Sequence, residues 1–151
     1  MIVRRDGPTV RLYSRHAYDW TRRLPAIVVA AERIKAKSFT IRRREAARTA
    51  ILYAFDLIEH DGEDLRDLPF LDRKATLARL LRDSRAGILP NEHVAEDGPI
   101  VFEHACRLGA EGIVSKRVDG TYRSGRCSVW IKVLNPASIA VQRERSANWN
   151  R

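Results

Sequence analysis

Long apolar runs are missing from this chain. The longest, Ala26 to Ala31, is short and gives way to charge. A membrane-spanning helix needs roughly 18–20 apolar residues, so none is expected. The N-terminal MIVRRDG has no apolar stretch after its basic residues, which argues against a secretory signal peptide. With no address label, the default compartment is the cytoplasm. Cysteine is also scarce: Cys106 and Cys127 are the only two, with no CxxC pair and no histidine at metal-ligand spacing. A zinc site and a disulfide are both disfavoured, and the two thiols read as small buried or half-buried apolar residues. Neither a GxGxxG fingerprint nor a GxxxxGK[ST] phosphate loop occurs.

Positive charge is abundant. The 151 residues carry 28 Lys and Arg against 19 Asp and Glu, a net charge of +9. Such an excess favours a polyanionic partner, because each phosphate contact releases condensed counterions. Arginine dominates, and its planar fork suits phosphate better than an ammonium does. The plain alternative is a soluble protein with a generally basic surface. The length fits one domain with a real core.

Patterning along the chain predicts strands joined by hairpins or single helices. Ile2–Arg5 and Val10–Arg15 flank the tight-turn pair Asp6-Gly7. Pro25 suits a first helical turn, and Ile27, Val28, Ala31 and Ile34 then share one face of a helix to about Lys35. Ser38–Ile41 starts a strand that meets Arg42-Arg43-Arg44, and Ile51–Ile58 is a strong buried strand ending at His60-Asp61-Gly62. A helix over Pro69–Arg82 should bury Leu71, Ala75, Ala78 and Leu81. Ile88–Val94 reads as a strand. A helix from Asp97 to Gly109 carries Ile100, Val101, His104, Ala105 and Leu108. Two strands follow, Gly112–Val118 and Val129–Leu134, and Ser138–Arg151 has room for a short strand before a polar tail. The class is α+β, with mostly antiparallel sheets and packed helices.

Three segments have residues suited to chemistry. In Glu111-Gly112-Ile113-Val114-Ser115-Lys116 a carboxylate opens a buried strand and a lysine closes it. Alternation puts Glu111, Ile113 and Ser115 on one side and Gly112, Val114 and Lys116 on the other, unless a bulge intervenes. Lys132 lies between Ile131 and Val133 in an otherwise apolar strand. Phosphate would account for it, and so would snorkelling to water. Together with the basic turn carrying Tyr122, Arg123, Gly125 and Arg126, the two lysines make an anion site as reasonable as ordinary strand ends. Phe55 is either core or a stacking wall for a purine, and Asp56 in the same apolar strand needs a partner.

In this order, these segments resemble the adenylation domain of ATP-dependent DNA ligases, above all the ligase modules of bacterial end-joining systems. LYSRHAYDWT (Leu12–Thr21), YAFDLIEHDGEDLRDLP (Tyr53–Pro69), EGIVSKR (Glu111–Arg117) and WIKV (Trp130–Val133) carry the likeness, with YRSGR before Trp130 and NPA after the strand. The resemblance implies an incomplete nucleotidyltransferase (ATP-grasp-like) core over residues 1–137, residues 138–151 as a terminal strand or tail, and no OB-fold domain. It implies ATP and magnesium as cofactors and nicked or broken duplex DNA as partner. By position, Phe55 would stack on adenine, Lys116 and Lys132 would hold the α-phosphate, and Glu111 would serve the metal. Arg15, Arg123 and Arg126 would contact phosphate or DNA. In such enzymes a lysine attacks the ATP α-phosphate, and the adenylate then passes to the 5′-phosphate at a nick.

Departures from the pattern point to a chain unable to ligate alone. The nucleophile's Lys-x-Asp-Gly motif should lie just before MIVRRDG and is not in the sequence. The acidic Asp-Gly-Glu motif should follow Ile41, where Arg42-Arg43-Arg44 stands, with Glu45 a poor substitute. Leu134 sits where many relatives have a second lysine. The expectation is therefore a truncated ligase domain, with a non-catalytic nucleic-acid- or partner-binding module as the alternative. Loss of a strand after Ile41 would also leave a sheet edge exposed.

Overall fold

The computed structural model describes residues 1–14, 16–43, 51–84, 87–125 and 127–143. They form two compact units: Met1–Glu92 with Val118–Arg123, and His93–Arg117 with Ser124–Arg151.

The first unit is built on a six-stranded sheet. β1 (Ile2–Asp6) and β2 (Thr9–Tyr13) form the expected hairpin, with Gly7 at φ +54 in its turn. Glycine enters that left-handed region without the steric penalty of a Cβ. β3 (Ser38–Arg43) lies on the other side of β1, and β4 (Leu52–His60) lies beside β3, both antiparallel. The sheet is therefore continuous across the point where an exposed edge was expected. Two register shifts, at Thr40/Ile41 and Arg42/Arg43, accompany that join. The strand also runs on through Arg42 and Arg43 instead of stopping at Ile41. Backbone pairing with β1 on one side and β4 on the other outweighs the charge of the side chains.

β4 turns through Asp61 and Gly62, both at positive φ, into β5 (Glu63–Asp64). Such a pair of left-handed residues is what a two-residue hairpin loop requires. The N-terminal half of the same β4 edge pairs in parallel with β6 (Ile88–Pro90), a shorter strand than the sequence predicts.

Period-2 alternation sends Val3, Val10, Leu12, Phe39, Ile41 and Leu57 into the core. On the opposite face of the sheet, Arg11, Arg4, Thr40 and Glu59 follow one another across the paired strands. α1 (Pro25–Glu32), with Pro25 in its first turn, contributes Ile27, Ala30 and Ala31 to the core, and Ile34 joins them just beyond its end. Ile27 and Ile34 each add about 1.5–3 kcal/mol of burial free energy relative to exposure.

α2 (Phe70–Leu80) departs from expectation. It buries Phe70, Arg73 and Leu77, while Leu71 is 39% exposed and Ala75 and Ala78 face outward. Of the expected inner face only Leu81, at the helix end, is buried. The helix is turned by its arginine, which is drawn inward by a buried carboxylate on β4.

In the second unit, α3 (Gly98–Arg107) is capped by the Asp97 carboxylate, which accepts from the Ile100 N–H. It packs on a small antiparallel sheet of β7 (Gly112–Lys116) and β8 (Trp130–Leu134). Its inner side is Val101, Phe102, Ala105 and Cys106, all half-buried, whereas Ile100 and Leu108 are 55% and 86% exposed and His104 also faces outward. The apolar stripe is wider than one helical face, so the pattern admits two rotations, and the one that covers Phe102 wins. Residues 139–143 are helical, within the stretch read as a terminal strand or tail.

Candidate functional site

Phe55 lies half-buried on β4 in the first unit. The β3 bulge brings Arg42 beside it: the guanidinium carbon is 6.0 Å from the Phe55 ring centroid and 5.3 Å from that of Tyr122. Arg42 Nη1 donates to the Tyr122 hydroxyl at 3.0 Å. Both distances to the rings fall in the range where a cation is attracted to an aromatic face. Tyr122 belongs to the segment Val118–Arg123, which returns to the first unit after β7.

What holds that segment is Arg73, a residue the sequence reading did not single out. Its Nε and Nη2 donate to the two carboxylate oxygens of Asp56 at 2.9 and 3.1 Å, and both side chains are fully buried. Its Nη1 donates to the Leu68 carbonyl at 2.6 Å and to the Gly120 carbonyl at 3.3 Å. Asp56 therefore has the partner its burial demanded, and the pair ties β4, α2 and the returning segment into one network. The Leu71 N–H donates to the Val118 carbonyl, and the Tyr122 N–H to the Arg66 carbonyl, completing the seam. Spacing carried a signal for Arg73: it lies three residues after Phe70 and four before Leu77, on the stripe that α2 buries.

Arg66 in turn holds Asp64. Its Nε donates to both carboxylate oxygens at 2.9 Å, and its backbone N–H to one of them at 3.0 Å. The side-chain bonds, then the backbone bond, hold the Asp64 carboxyl down at about 2. A carboxyl depressed on folding contributes stability above its unfolded pKa, and that contribution fades as pH falls through about 2. In a carbon-detected NMR titration Asp64 is expected to titrate near that value, and in Arg66→Gln to move up toward the usual carboxylate range of about 3.9. An unchanged midpoint in the variant would show that Arg66 is not its cause.

In the second unit the lysine geometry becomes definite. β7 and β8 pair Lys116 with Trp130, Val114 with Lys132, and Gly112 with Leu134. Directly opposed residues project to the same side of an antiparallel pair. Lys116 and Lys132 therefore share one face, as diagonal neighbours, while Ile113, Ser115, Ile131 and Val133 share the other. Lys116 Nζ lies 4.3 Å from the Trp130 ring centroid.

Glu111 stands just before β7 and is exposed; its carbonyl accepts from the Asn135 N–H at 2.9 Å. Asn135 Nδ2 also donates to the Ala110 carbonyl, and Asn135 Oδ1 accepts from the Ala137 N–H. This buried asparagine of the NPA stretch closes the open end of the hairpin. Cys106 and Cys127 are free and half-buried.

Of the other candidates, Arg123 is exposed at the end of the returning segment, and Arg15 and Arg126 lie outside the described residues. The chain thus assigns Phe55 and Arg123 to the first unit and Glu111, Lys116 and Lys132 to the second. Among the described residues, no three His, Cys, Asp or Glu side chains gather as metal ligands, and the end of β3 carries Arg42 and Arg43. The described residues therefore supply no three-ligand cage of their own for a metal.

This architecture is that of the ligase domains of DNA ligases. The ligase domain of Mycobacterium tuberculosis LigD matches it with a TM-score of 0.73 at 26% identity, over 88% of this chain and 49% of that one. A mycobacterial DNA ligase D solved with ATP and MES shares the fold, with a TM-score of 0.68 at 24% identity. The family described as ATP dependent DNA ligase domain matches residues 29–133, and the chain belongs to it. Among curated proteins, the multifunctional non-homologous end joining protein LigD of Pseudomonas aeruginosa is 35% identical over 155 residues, covering 88% of this chain and 18% of that protein. A probable DNA ligase of Streptomyces coelicolor is 32% identical, covering 87% of this chain and 32% of its own. The chain thus spans a third or less of these two relatives and about half of the solved ligase chains.

Proposed function

We propose that this chain supplies nucleotide- and phosphate-handling residues of an ATP-dependent DNA ligase, acting in DNA repair and recombination, and that by themselves these residues do not carry out its attack on ATP. The observation that supports this most is the shared face of Lys116 and Lys132 on β7–β8. Two ammonium groups on one side of a rigid hairpin can oppose the charge of a phosphoryl group, a stabilisation that costs little reorganisation when the donors are fixed in advance. In this reading the Phe55 ring takes the adenine, and Arg15, Arg123 and Arg126 follow the phosphates of nicked DNA. Glu111 is the carboxylate that would serve a magnesium ion in this reading, with the nucleotide's phosphates as the ion's other ligands.

A nucleophile is the missing part. The lysines are Lys35, Lys37, Lys74, Lys116 and Lys132, and none is followed by x-Asp-Gly. Burial pushes the Lys74 pKa down, yet its Nζ is tied to the Asn91 carbonyl. Attack on phosphorus needs in-line placement as well as a free amine. Incubating the chain with ATP labelled at the α-phosphate, with magnesium, is therefore expected to leave no covalent AMP-protein band. A stable labelled band would overturn the inactive reading.

The basic balance of 28 to 19 favours a second reading, a non-catalytic module that binds nucleic acid or a partner through charge. Binding to nicked duplex that falls steeply with salt, with no ATP bound at all, would favour it over the ligase reading.

A further inference from the structure

The β3–β4 join puts an arginine where a ligase-like site would call for acids. Three carboxylates of β4 and β5 are already engaged. Asp56, the register partner of Arg42, has both oxygens on Arg73. Glu59 accepts from the hydroxyls of Ser38 and Thr40 and from the Gly62 N–H. Asp64 is held by Arg66. A divalent cation would meet occupied oxygens and the positive charge of Arg42. The guanidinium itself is fixed in place by the Tyr122 hydroxyl and by two aromatic rings.

That arrangement has its own chemistry. A nucleotide joins a planar ring, which stacks on an aromatic face, to a polyanion, which a guanidinium can meet with paired N–H donors. Fixing the arginine beforehand reduces the ordering cost of the contact. We propose that the Arg42–Phe55–Tyr122 cluster neutralises a nucleotide's phosphates with the Arg42 guanidinium in place of a divalent cation, so that this chain binds free ATP without magnesium. The inference rests on the nucleotide-binding reading above.

Calorimetric titration of the full chain with ATP, once with magnesium and once with EDTA at matched ionic strength, tests it. The dissociation constant in EDTA is expected to equal or fall below that in magnesium. Arg42→Gln keeps a planar donor but removes the charge. It is expected to weaken binding in EDTA about tenfold, equivalent to about 1.4 kcal/mol, measured well below the variant's melting temperature. Arg42→Lys restores the charge without the fork and should recover only part of the loss.

If Arg42→Gln does not fold, Tyr122→Phe keeps the ring, removes the hydroxyl that holds the guanidinium, and should weaken EDTA binding severalfold. ATP binding seen only with magnesium would sink this inference and leave the nucleotide reading standing. So would EDTA binding that is indifferent to Arg42→Gln, or to Tyr122→Phe where that variant replaces it. No ATP binding in either buffer would sink both.

Discussion

Arg73→Met is expected to lower the stability of the chain by about 3–5 kcal/mol, the range for stripping one partner from a buried ion pair. Both side chains are fully buried, so Asp56 would be left as a carboxylate with neither its cation nor water. The carbonyls of Leu68 and Gly120 would lose their shared donor as well. Domains of this kind have only about 5–15 kcal/mol in total. At roughly 2–4 °C per kcal/mol for a chain of this size, the melt should fall by roughly 6–20 °C. Removing both charges, in Asp56→Val with Arg73→Met, should recover part of the loss, because two apolar groups do not demand each other. Recovery should stay incomplete, since the Leu68 and Gly120 carbonyls have still lost their shared donor. A single Arg73→Met variant that melts like the parent would show that the pair is not buried in solution.

Gly112→Ala carries the second large effect. Gly112 has φ +145, a conformation essentially confined to glycine, and forcing another residue into it costs about 1–3 kcal/mol. Space makes matters worse. A Cβ at this position would lie 2.1 Å from the Val133 carbonyl oxygen and 2.9 Å from the Leu134 Cα, both backbone atoms of the paired strand. Neither can swing aside as a side chain end would, so β7 and β8 must separate at the end that Asn135 closes. The expected result is faster amide hydrogen exchange at Asn135 and through β8, with a lower melting temperature. Gly109→Ala is the control: its φ is +72 but an added Cβ meets nothing within 4 Å. Equal stability of the two variants would refute the steric account.

The particular elements show where the sequence could be read and where it could not. The β1–β2 hairpin and α1 were legible because local rules decide them: an Asp-Gly turn, and a proline at the helix start ahead of a regular apolar stripe. α2 was legible as a helix but not in its rotation. An arginine reads as surface until a carboxylate from another element is brought against it, and Asp56 is seventeen residues away in the chain. Arg42 was misleading for the same reason in reverse. Charge looked like the end of a strand, while the backbone partners that continue the strand lie on β1 and β4. In the second unit, alternation alone assigned Lys116 a side but said nothing of Lys132. Only the register, with Val114 opposite Lys132, places both on one face.

The chain leaves the first unit after Glu92, returns for Val118–Arg123 and leaves again. On a ribosome this itinerary imposes a delay. The carbonyl of Gly120 that receives Arg73, the Val118 carbonyl under Leu71 and the ring beside Arg42 all emerge after the whole of α3 and β7 has been made. Until then the first ninety-odd residues lack the last pieces of their own seam. Vectorial synthesis therefore completes the first unit late, and a chain cut short before Val118 should be far more open to protease than the full chain.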